Sequence, residues 1–233
     1  LANYCGSVLD LENAKLGDEY YYSCLPLCVI ATVYSLFSRD EATRNVIVRF
    51  RTHAGLPMQT RTGFPSIGDQ MAVSEFISMY ESHGNDEESS QHMAKNVFRN
   101  CQLTPPRKSG ILKSEAVLRF SRALRTCGVE YFQDLERAFG NDKFENAVKN
   151  IPGHASGVSL RYFYMLAGEY EYVKPDRMIM RFIKSATGLE PTIEHAHNLV
   201  VNACKHLAPQ FPKLSPCLLD HVIWKYQRGK SNS

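Results

Sequence analysis

Apolar residues recur every three or four positions along most of the chain, which is the pattern of helices that bury one face. Residues 25–37 (LPLCVIATVYSLF) and 40–55 (DEATRNVIVRFRTHAG) show this pattern clearly. No stretch of alternating apolar and polar residues is long enough to predict a β-strand. The pattern therefore predicts an all-α fold of about ten helices, in a single domain over residues 1–233.

The boundaries of several segments follow from the same reading. Residues 57–70 are rich in Gly, Pro, Thr and Ser and predict a loop, and the acidic stretch 80–90 (YESHGNDEESS) predicts a solvated loop. Helices are predicted from about Ser156 to Ala167 and from Pro175–Asp176 to about Thr187. A turn that contains Pro152 and Gly153 precedes the first of these helices, and Asp176 lies at the start of the second.

Composition narrows the class of protein. The 233 residues are 44% hydrophobic and 22% charged, as in ordinary globular proteins, and no apolar run is long enough to cross a bilayer. No secretory signal opens the chain, and its seven cysteines are too scattered for a disulfide framework. We therefore expect a monomer inside the cell, in the cytoplasm or nucleoid (the nucleus in a eukaryote), with no membrane partner.

Charge is distributed unevenly, although the net charge is only +3. Residues 105–126 (PPRKSGILKSEAVLRFSRALRT) hold six Lys or Arg against one acid, Glu115. Such a run can bind a polyanion such as nucleic acid, or it can simply form the solvent-exposed face of a helix. Charge alone leaves both interpretations open.

The stretch 151–159 (IPGHASGVS) joins two predicted helices with Pro, Gly and other small residues. Small side chains allow a phosphate to approach the backbone, and the N–H groups that open the second helix would then point at the anion. A plain turn between two helices uses the same residue types. The stretch is therefore either a helix-hairpin-helix element or an ordinary turn.

Two motifs in order resemble those of the helix-hairpin-helix base-excision DNA glycosylases, the endonuclease III-like (HhH-GPD) family. IPGHASGVS resembles that family's L-P-G-V-G-x-K-x-A hairpin, and VKPDRMIMRF resembles its V-D-x-x-V-x-R segment, with Asp176 at the acid and Arg181 at the basic position. The likeness extends in order over residues 25–229. It implies a fold of two helical lobes with a cleft between them and double-stranded DNA as the partner. The implied activity is base excision repair by hydrolysis of the N-glycosidic bond of a flipped damaged, mismatched or modified base.

The resemblance assigns DNA-binding roles to five residues. Backbone amides of Gly153, Ala155 and Gly157 are expected to face phosphates, and the hairpin would bind the DNA backbone without reading sequence. Phe37 and Arg39 are candidates for the wedge that fills the gap left by a flipped base. Phe37 is equally suited to an ordinary hydrophobic core.

The resemblance also assigns the chemistry. Asp176 would stabilise the cationic sugar and orient the attacking water, although capping the following helix would explain it equally well. Carbonyls of Lys149, Ile151 and His154 would hold a monovalent Na or K ion, and the side chain of His154 is expected to be exposed on the loop.

Departures from the family pattern limit the chemistry. The Schiff-base lysine position holds Gly157, so the enzyme is expected to be monofunctional. Cys204 and Cys217 are too few for the four-cysteine iron–sulfur motif, so no such cluster is expected. A non-catalytic helix-hairpin-helix DNA-binding protein is the alternative: Ala155 and Gly157 favour it, whereas the retained Asp176 argues against it.

Overall fold

The computed structural model describes residues 1–57 and 63–231, and most of them are helical. The α-helices in these residues are α1 (Ala2–Val8), α2 (Leu25–Ser35), α3 (Asp40–His53), α4 (Val73–Glu81), α5 (Asp86–His92), α6 (Lys113–Thr126), α7 (Asp142–Lys149), α8 (Val158–Leu166), α9 (Arg177–Thr187), α10 (Ile193–Leu207) and α11 (Pro216–Ser231). Shorter elements are 3-10 helices at Asp18–Tyr20, Ile67–Asp69 and Phe132–Arg137, a π-helical turn at Met93–Val97, and strands β1 (Leu103–Thr104) and β2 (Ile111–Leu112). The predicted all-α class is confirmed.

Two local features differ from the sequence prediction. Strands β1 and β2 pair antiparallel, with Leu103 opposite Leu112, and are too short to show an alternating pattern. The loop predicted over 80–90 is wrong from Asp86 onward, where α5 begins. The side chain of Asn85 accepts hydrogen bonds from the amides of Glu87 and Glu88 at 3.0 Å each, while Glu88 accepts from the amide of Asn85 at 3.1 Å. This capping box stabilises a helix despite its polar composition.

Residues 57–70, predicted to be a loop, lie partly outside the described residues. From Gly63 onward the described part contains one 3-10 turn, Ile67–Asp69.

The chain divides into two compact units, one of residues 1–20 with 164–233 and the other of residues 21–163. We call them the terminal unit and the central unit. In the terminal unit, α1 packs against α10 and α9 packs against α11. Ile179, Phe182 and Ile183 form the buried face of α9, at the spacing that puts them on one side of a helix. Tyr4 of α1 and Tyr226 of α11 contact the ring of Phe182, with centroids 5.3 and 5.8 Å away.

The central unit is built around α2, in which every residue from Leu25 to Tyr34 is buried. A helix that is apolar on all sides belongs in the middle of a fold, and α3 and α6 pack against it. Aromatic rings fill the space beside it. Phe50 lies 5.1 Å from Phe76 and 5.9 Å from Phe98, and Phe98 lies 5.3 Å from Tyr34, centroid to centroid.

A second aromatic cluster in the central unit includes His154. Phe120 contacts Phe163 at 5.0 Å and presents its edge to His154 at 6.3 Å. The side chain of His154 is fully buried, so the prediction that it is exposed is wrong. Its Nδ1 lies 2.8 Å from the hydroxyl of Ser159, and its Nε2 has no hydrogen-bond partner in the described residues. Burial lowers the pKa of His154 to about 4, and the charge of Lys113 acts in the same direction.

His154 makes the fold sensitive to acid. An unfolded histidine takes up a proton near pH 6.5, whereas His154 in the folded chain does so only near pH 4. Its stabilising contribution is therefore complete above about pH 6.5 and declines as the pH falls toward 4. We expect His154→Asn, which keeps a polar atom near Ser159 but does not titrate, to lose about 2 kcal/mol less unfolding free energy between pH 7.5 and pH 5 than the wild type.

Urea unfolding followed by far-UV circular dichroism at the two pH values measures this difference. His195→Asn is the control, because His195 is an exposed histidine of α10, and this variant should lose as much stability on acidification as the wild type. Equal losses for His154→Asn and the wild type would contradict the prediction.

Candidate functional site

The hairpin between α7 and α8 is turned by two glycines. Gly153 has φ 87° and Gly157 has φ 73°, whereas Ala155 has no left-handed backbone. The amide of His154 donates to the carbonyl of Ile151 and the amide of Gly157 donates to the carbonyl of His154, both at 3.0 Å. The hairpin therefore closes with an alanine at position 155, because the left-handed residue here is Gly157 instead.

The amides of this hairpin differ in availability. Within the described residues, the N–H groups of Gly153 and Ala155 donate to no protein oxygen, whereas that of Gly157 is used inside the turn. Ala155 is exposed and Gly157 is buried. Of the three amides predicted to face phosphate, two are therefore available. The carbonyls of Ile151 and His154, predicted cation ligands with that of Lys149, each have one lone pair committed to the turn.

Strand β1 braces the hairpin from one side. The hydroxyl of Thr104 donates to the carbonyl of Pro152 at 3.3 Å. A Cβ atom on Gly153 would lie 2.1 Å from that hydroxyl oxygen and 3.2 Å from the nitrogen of Pro105. Gly153 is thus required by close packing as well as by its backbone angle, and its replacement would disturb the fold. Ala155, at the exposed tip, is the better position for probing the hairpin.

Most of the basic run at residues 105–126 is neutralised or buried. Lys113 is buried, and Arg119 pairs with Glu115 at 2.6 Å. The other partners come from α4 and α5: Arg122 donates to both carboxylate oxygens of Asp86, and Arg122 and Arg125 lie 3.8 and 3.9 Å from Glu81. The acidic stretch is thus the counter-charge of α6. Sequence reasoning missed this pairing because Asp86 and Arg122 are 36 positions apart.

Arg107 and Lys108 are the two remaining cations of the run, and both are exposed in the turn between β1 and β2. Neither makes an ion pair within the described residues. The turn is held by hydrogen bonds of 2.8 Å from Arg107 N–H to Pro105 and from Gly110 N–H to Arg107. It directly follows the Thr104–Pro105 segment that touches Gly153. We call Arg107, Lys108, Gly153 and Ala155 the hairpin surface.

The predicted wedge residues lie between α2 and α3, also in the central unit. Phe37 is 61% exposed and has φ 54°, so the alternative that it belongs to the core is wrong. Arg39 is exposed and immediately precedes α3. Both side chains are therefore accessible to a ligand.

Asp176 lies in the terminal unit, at the N-cap of α9. Its Oδ1 accepts hydrogen bonds from the amides of Met178 at 2.8 Å and Ile179 at 3.3 Å. Its Oδ2 accepts none within the described residues. The carboxylate is half-buried and lies at the N-terminal end of α9. Capping is therefore a role that Asp176 has in the fold, and one oxygen remains for another partner.

A second carboxyl group, Asp220 of α11, fixes the turn in front of Asp176. Its Oδ1 accepts a hydrogen bond of 3.0 Å from the amide of Lys174, whose carbonyl accepts one of 2.6 Å from the amide of Asp176. Asp220 is buried, and burial together with the negative charge of Asp176 raises its pKa well above the usual range. Sequence reasoning missed this residue. An acid among apolar residues in LLDHVIWKY was the available signal.

The protonation of Asp220 can be tested through stability. Because its pKa is raised in the folded state, stability declines as the pH rises from about 4, where an unfolded Asp ionises. Asp220→Asn stays neutral and keeps the oxygen that accepts from Lys174. We expect it to be at least as stable as the wild type at pH 7, with an advantage that shrinks toward pH 4.

Asp220→Leu is the matched variant. It lacks the acceptor for the amide of Lys174, so we expect it to lose about 1–3 kcal/mol of unfolding free energy. Urea unfolding of both variants at pH 4 and pH 7 measures the two effects. A less stable Asp220→Asn at pH 7 would show that Asp220 is ionised there.

No group of three or more His, Cys, Asp or Glu side chains in the described residues is arranged to hold a metal ion. None of the helices described is both long enough and apolar enough to span a membrane.

Comparison with known proteins places the chain in a family. No curated protein and no solved structure matches it. Residues 1–228 match the family described as Domain of unknown function (DUF8548). Since this match extends over nearly the whole sequence, the chain belongs to the DUF8548 family.

Proposed function

We propose that this protein is a monofunctional DNA glycosylase, which hydrolyses the N-glycosidic bond of a flipped damaged, mismatched or modified base in double-stranded DNA. The observation that carries the proposal is the geometry of Asp176. One of its oxygens is held by two amides, its other oxygen accepts no hydrogen bond within the described residues, and its turn is fixed by Asp220. The order of hairpin and acid in the sequence, which resembles the helix-hairpin-helix glycosylases, supports the same function.

The two carboxyl groups support different roles. Burial, together with the negative charge of Asp176, raises the pKa of Asp220, which favours the neutral form of Asp220. In this proposal Asp176 is the carboxylate that faces the substrate. Cleavage of the bond between base and sugar develops positive charge on the sugar, and a fixed carboxylate stabilises that charge. The same carboxylate can orient the attacking water. Asp220 is a positioning residue in this proposal, because it acts on the backbone that carries Asp176.

The hairpin surface supports binding to the DNA backbone. The available amides of Gly153 and Ala155 suit phosphate oxygens, and Arg107 and Lys108 supply positive charge in the turn that follows Thr104 and Pro105. Contacts to phosphates carry no sequence information, so binding independent of sequence is expected.

The product of the reaction follows from Gly157. Lyase chemistry through a Schiff base needs an amine at that position of the hairpin, and Gly157 has no side chain. The expected product is an intact strand with an abasic site, which breaks only on later alkali or heat treatment.

A non-catalytic DNA-binding protein is the second candidate. The observation in its favour is that the helix cap accounts for both hydrogen bonds of Asp176. It shares the hairpin surface with the first candidate and differs in predicting no excision.

Both candidates predict binding of duplex DNA through the hairpin surface. The double variant Arg107→Gln/Lys108→Gln should bind a labelled duplex more weakly than the wild type. The slope of log K against log salt concentration should become shallower by about 1.8, because about 0.9 is lost with each phosphate contact. Fluorescence anisotropy over a range of salt concentrations measures this slope.

The matched control removes the same charge from ion-paired positions. Arg119→Gln/Arg125→Gln leaves the hairpin surface intact and should keep the wild-type slope. In the same assay, Ala155→Glu should weaken binding more than the equally large but neutral Ala155→Gln. Equal slopes for the two double variants would place the DNA-binding surface elsewhere.

Asp176→Asn separates catalysis from capping. The amide oxygen still accepts from Met178 and Ile179, so the unfolding free energy should change by at most about 1 kcal/mol. If the charge stabilises the cationic sugar, excision should fall at least about a hundredfold, or about 2.7 kcal/mol of barrier. The measurement is single-turnover formation of abasic sites in duplexes that each carry one oxidised, alkylated, deaminated, mismatched or enzymatically modified base.

The controls for this assay address the reaction type. Borohydride should trap no adduct between the wild-type protein and DNA, and a trapped adduct would reveal a lysine nucleophile, with Lys174 as the first suspect. Excision at the wild-type rate by Asp176→Asn would refute the catalytic role. Duplex binding without excision of any base in the set would favour the second candidate.

A further inference from the structure

The most unusual charged group in the central unit is the ammonium of Lys113, at the start of α6. The residue is 1% exposed. Its Nζ lies 3.2 Å from the carbonyl oxygen of Tyr34, 2.6 Å from that of Leu36, 2.7 Å from the hydroxyl of Ser38 and 3.0 Å from Oε1 of Gln102. A buried ammonium with several oxygen partners and no carboxylate is rare, because burial of a charge is unfavourable unless it is well solvated by the protein. The segments that supply these oxygens are therefore held in place by the ammonium.

Two of the four oxygens belong to the residues on either side of Phe37. Leu36 contributes its carbonyl and Ser38 its hydroxyl, and the hydroxyl of Ser38 also donates to Gln102 at 2.7 Å. The ammonium thus holds the backbone before Phe37 and the side chain after it. Within the described residues, Phe37 itself accepts no hydrogen bond from Lys113, whereas the residues on both sides of it do.

The conformation of Phe37 is unfavourable in two respects. A left-handed backbone is uncommon for a bulky residue other than glycine and persists only when the surroundings enforce it. The exposed aromatic ring also forgoes the stabilisation that burial would give. With φ 54° and 61% of its surface exposed, Phe37 has both features. Such features concentrate where a side chain is presented to a ligand.

We infer that Lys113 is a positioning residue, whose ammonium holds the turn 36–38 so that Phe37 stands ready to insert into the base stack of a duplex. The inference rests on the proposed function for its substrate, double-stranded DNA. Burial lowers the pKa of Lys113 to about 8, while its four oxygen partners favour the charged form, so the group is an ammonium at neutral pH. A wedge that is already extended loses less conformational freedom on insertion than one that must first leave the protein surface.

The test measures unstacking rather than excision. A duplex with one mismatched 2-aminopurine emits more strongly when that base leaves the stack, and the wild-type protein should raise this emission. Phe37→Ala should reduce the rise at least about fivefold, because the wedge repays part of the few kcal/mol needed for unstacking. Lys113→Met, which keeps the length of the side chain without its charge, should reduce it equally. Since Lys113 is buried, duplex affinity should change by no more than about twofold.

Controls distinguish positioning from general damage. The double variant Lys113→Met/Phe37→Ala should be no worse than Phe37→Ala, because both changes remove one function. Phe64→Ala removes another exposed aromatic ring of the central unit, 55% exposed, and should leave the emission unchanged. Should Lys113→Met fail to fold, Ser38→Ala and Gln102→Leu each remove one oxygen partner and should each reduce the rise.

The outcomes separate this inference from the proposed function. Reduced emission in Phe37→Ala and Lys113→Met without any excision by the wild type would support the inference and reject the glycosylase. Normal excision with unchanged emission in both variants would reject the inference and leave the glycosylase standing. No rise with the wild-type protein, or a double variant that is clearly worse than Phe37→Ala, would also overturn it.

Discussion

The central unit depends on the solvation of one buried ammonium. Lys113 brings together oxygens from the end of α2, from the turn that follows it, and from Gln102 just before β1. Removing any of these oxygens would leave a buried charge less well solvated, so the three segments must keep their relative positions. A neutral core would permit small shifts of each segment, whereas an ammonium with four oxygens at 2.6–3.2 Å does not. In the role inferred for Lys113, the exposure of Phe37 follows from this constraint.

The accessible positive charge of the central unit is confined to a small part of its basic run. The acids of α4 and α5 pair with Arg122 and Arg125, so α6 offers little net charge to a polyanion. Arg107 and Lys108 differ because they lie in the β1–β2 turn, away from those acids. They follow Thr104 and Pro105, the residues of β1 and its turn that lie against Gly153. Two cations are few for tight binding of a polyanion.

Sequence patterns predicted those parts of the fold that local physics determines. Helical periodicity identified α2, α3, α8 and α9, and the pairing of Pro175 with Asp176 located the start of α9. The burial of His154 and Lys113 was not predictable in this way, because a polar residue in a turn or at a helix start is usually exposed and only tertiary packing encloses it. Asp220 was missed for the same reason. Its significance depends on its distance from Lys174, which is 46 positions away in the chain.

The cap at α9 also explains why sequence alone could not distinguish two roles for Asp176. An N-cap and a catalytic carboxylate need the same properties: a fixed position, a charged form and hydrogen bonds from amides. In the terminal unit the cap uses Oδ1, and within the described residues Oδ2 accepts no hydrogen bond. Asp220, whose pKa burial raises well above the usual range, holds the backbone of Asp176 through the amide of Lys174. A carboxylate used only as a cap gains little from a second, buried carboxyl group that anchors its turn. That neighbour is therefore the feature of the terminal unit that favours a catalytic role.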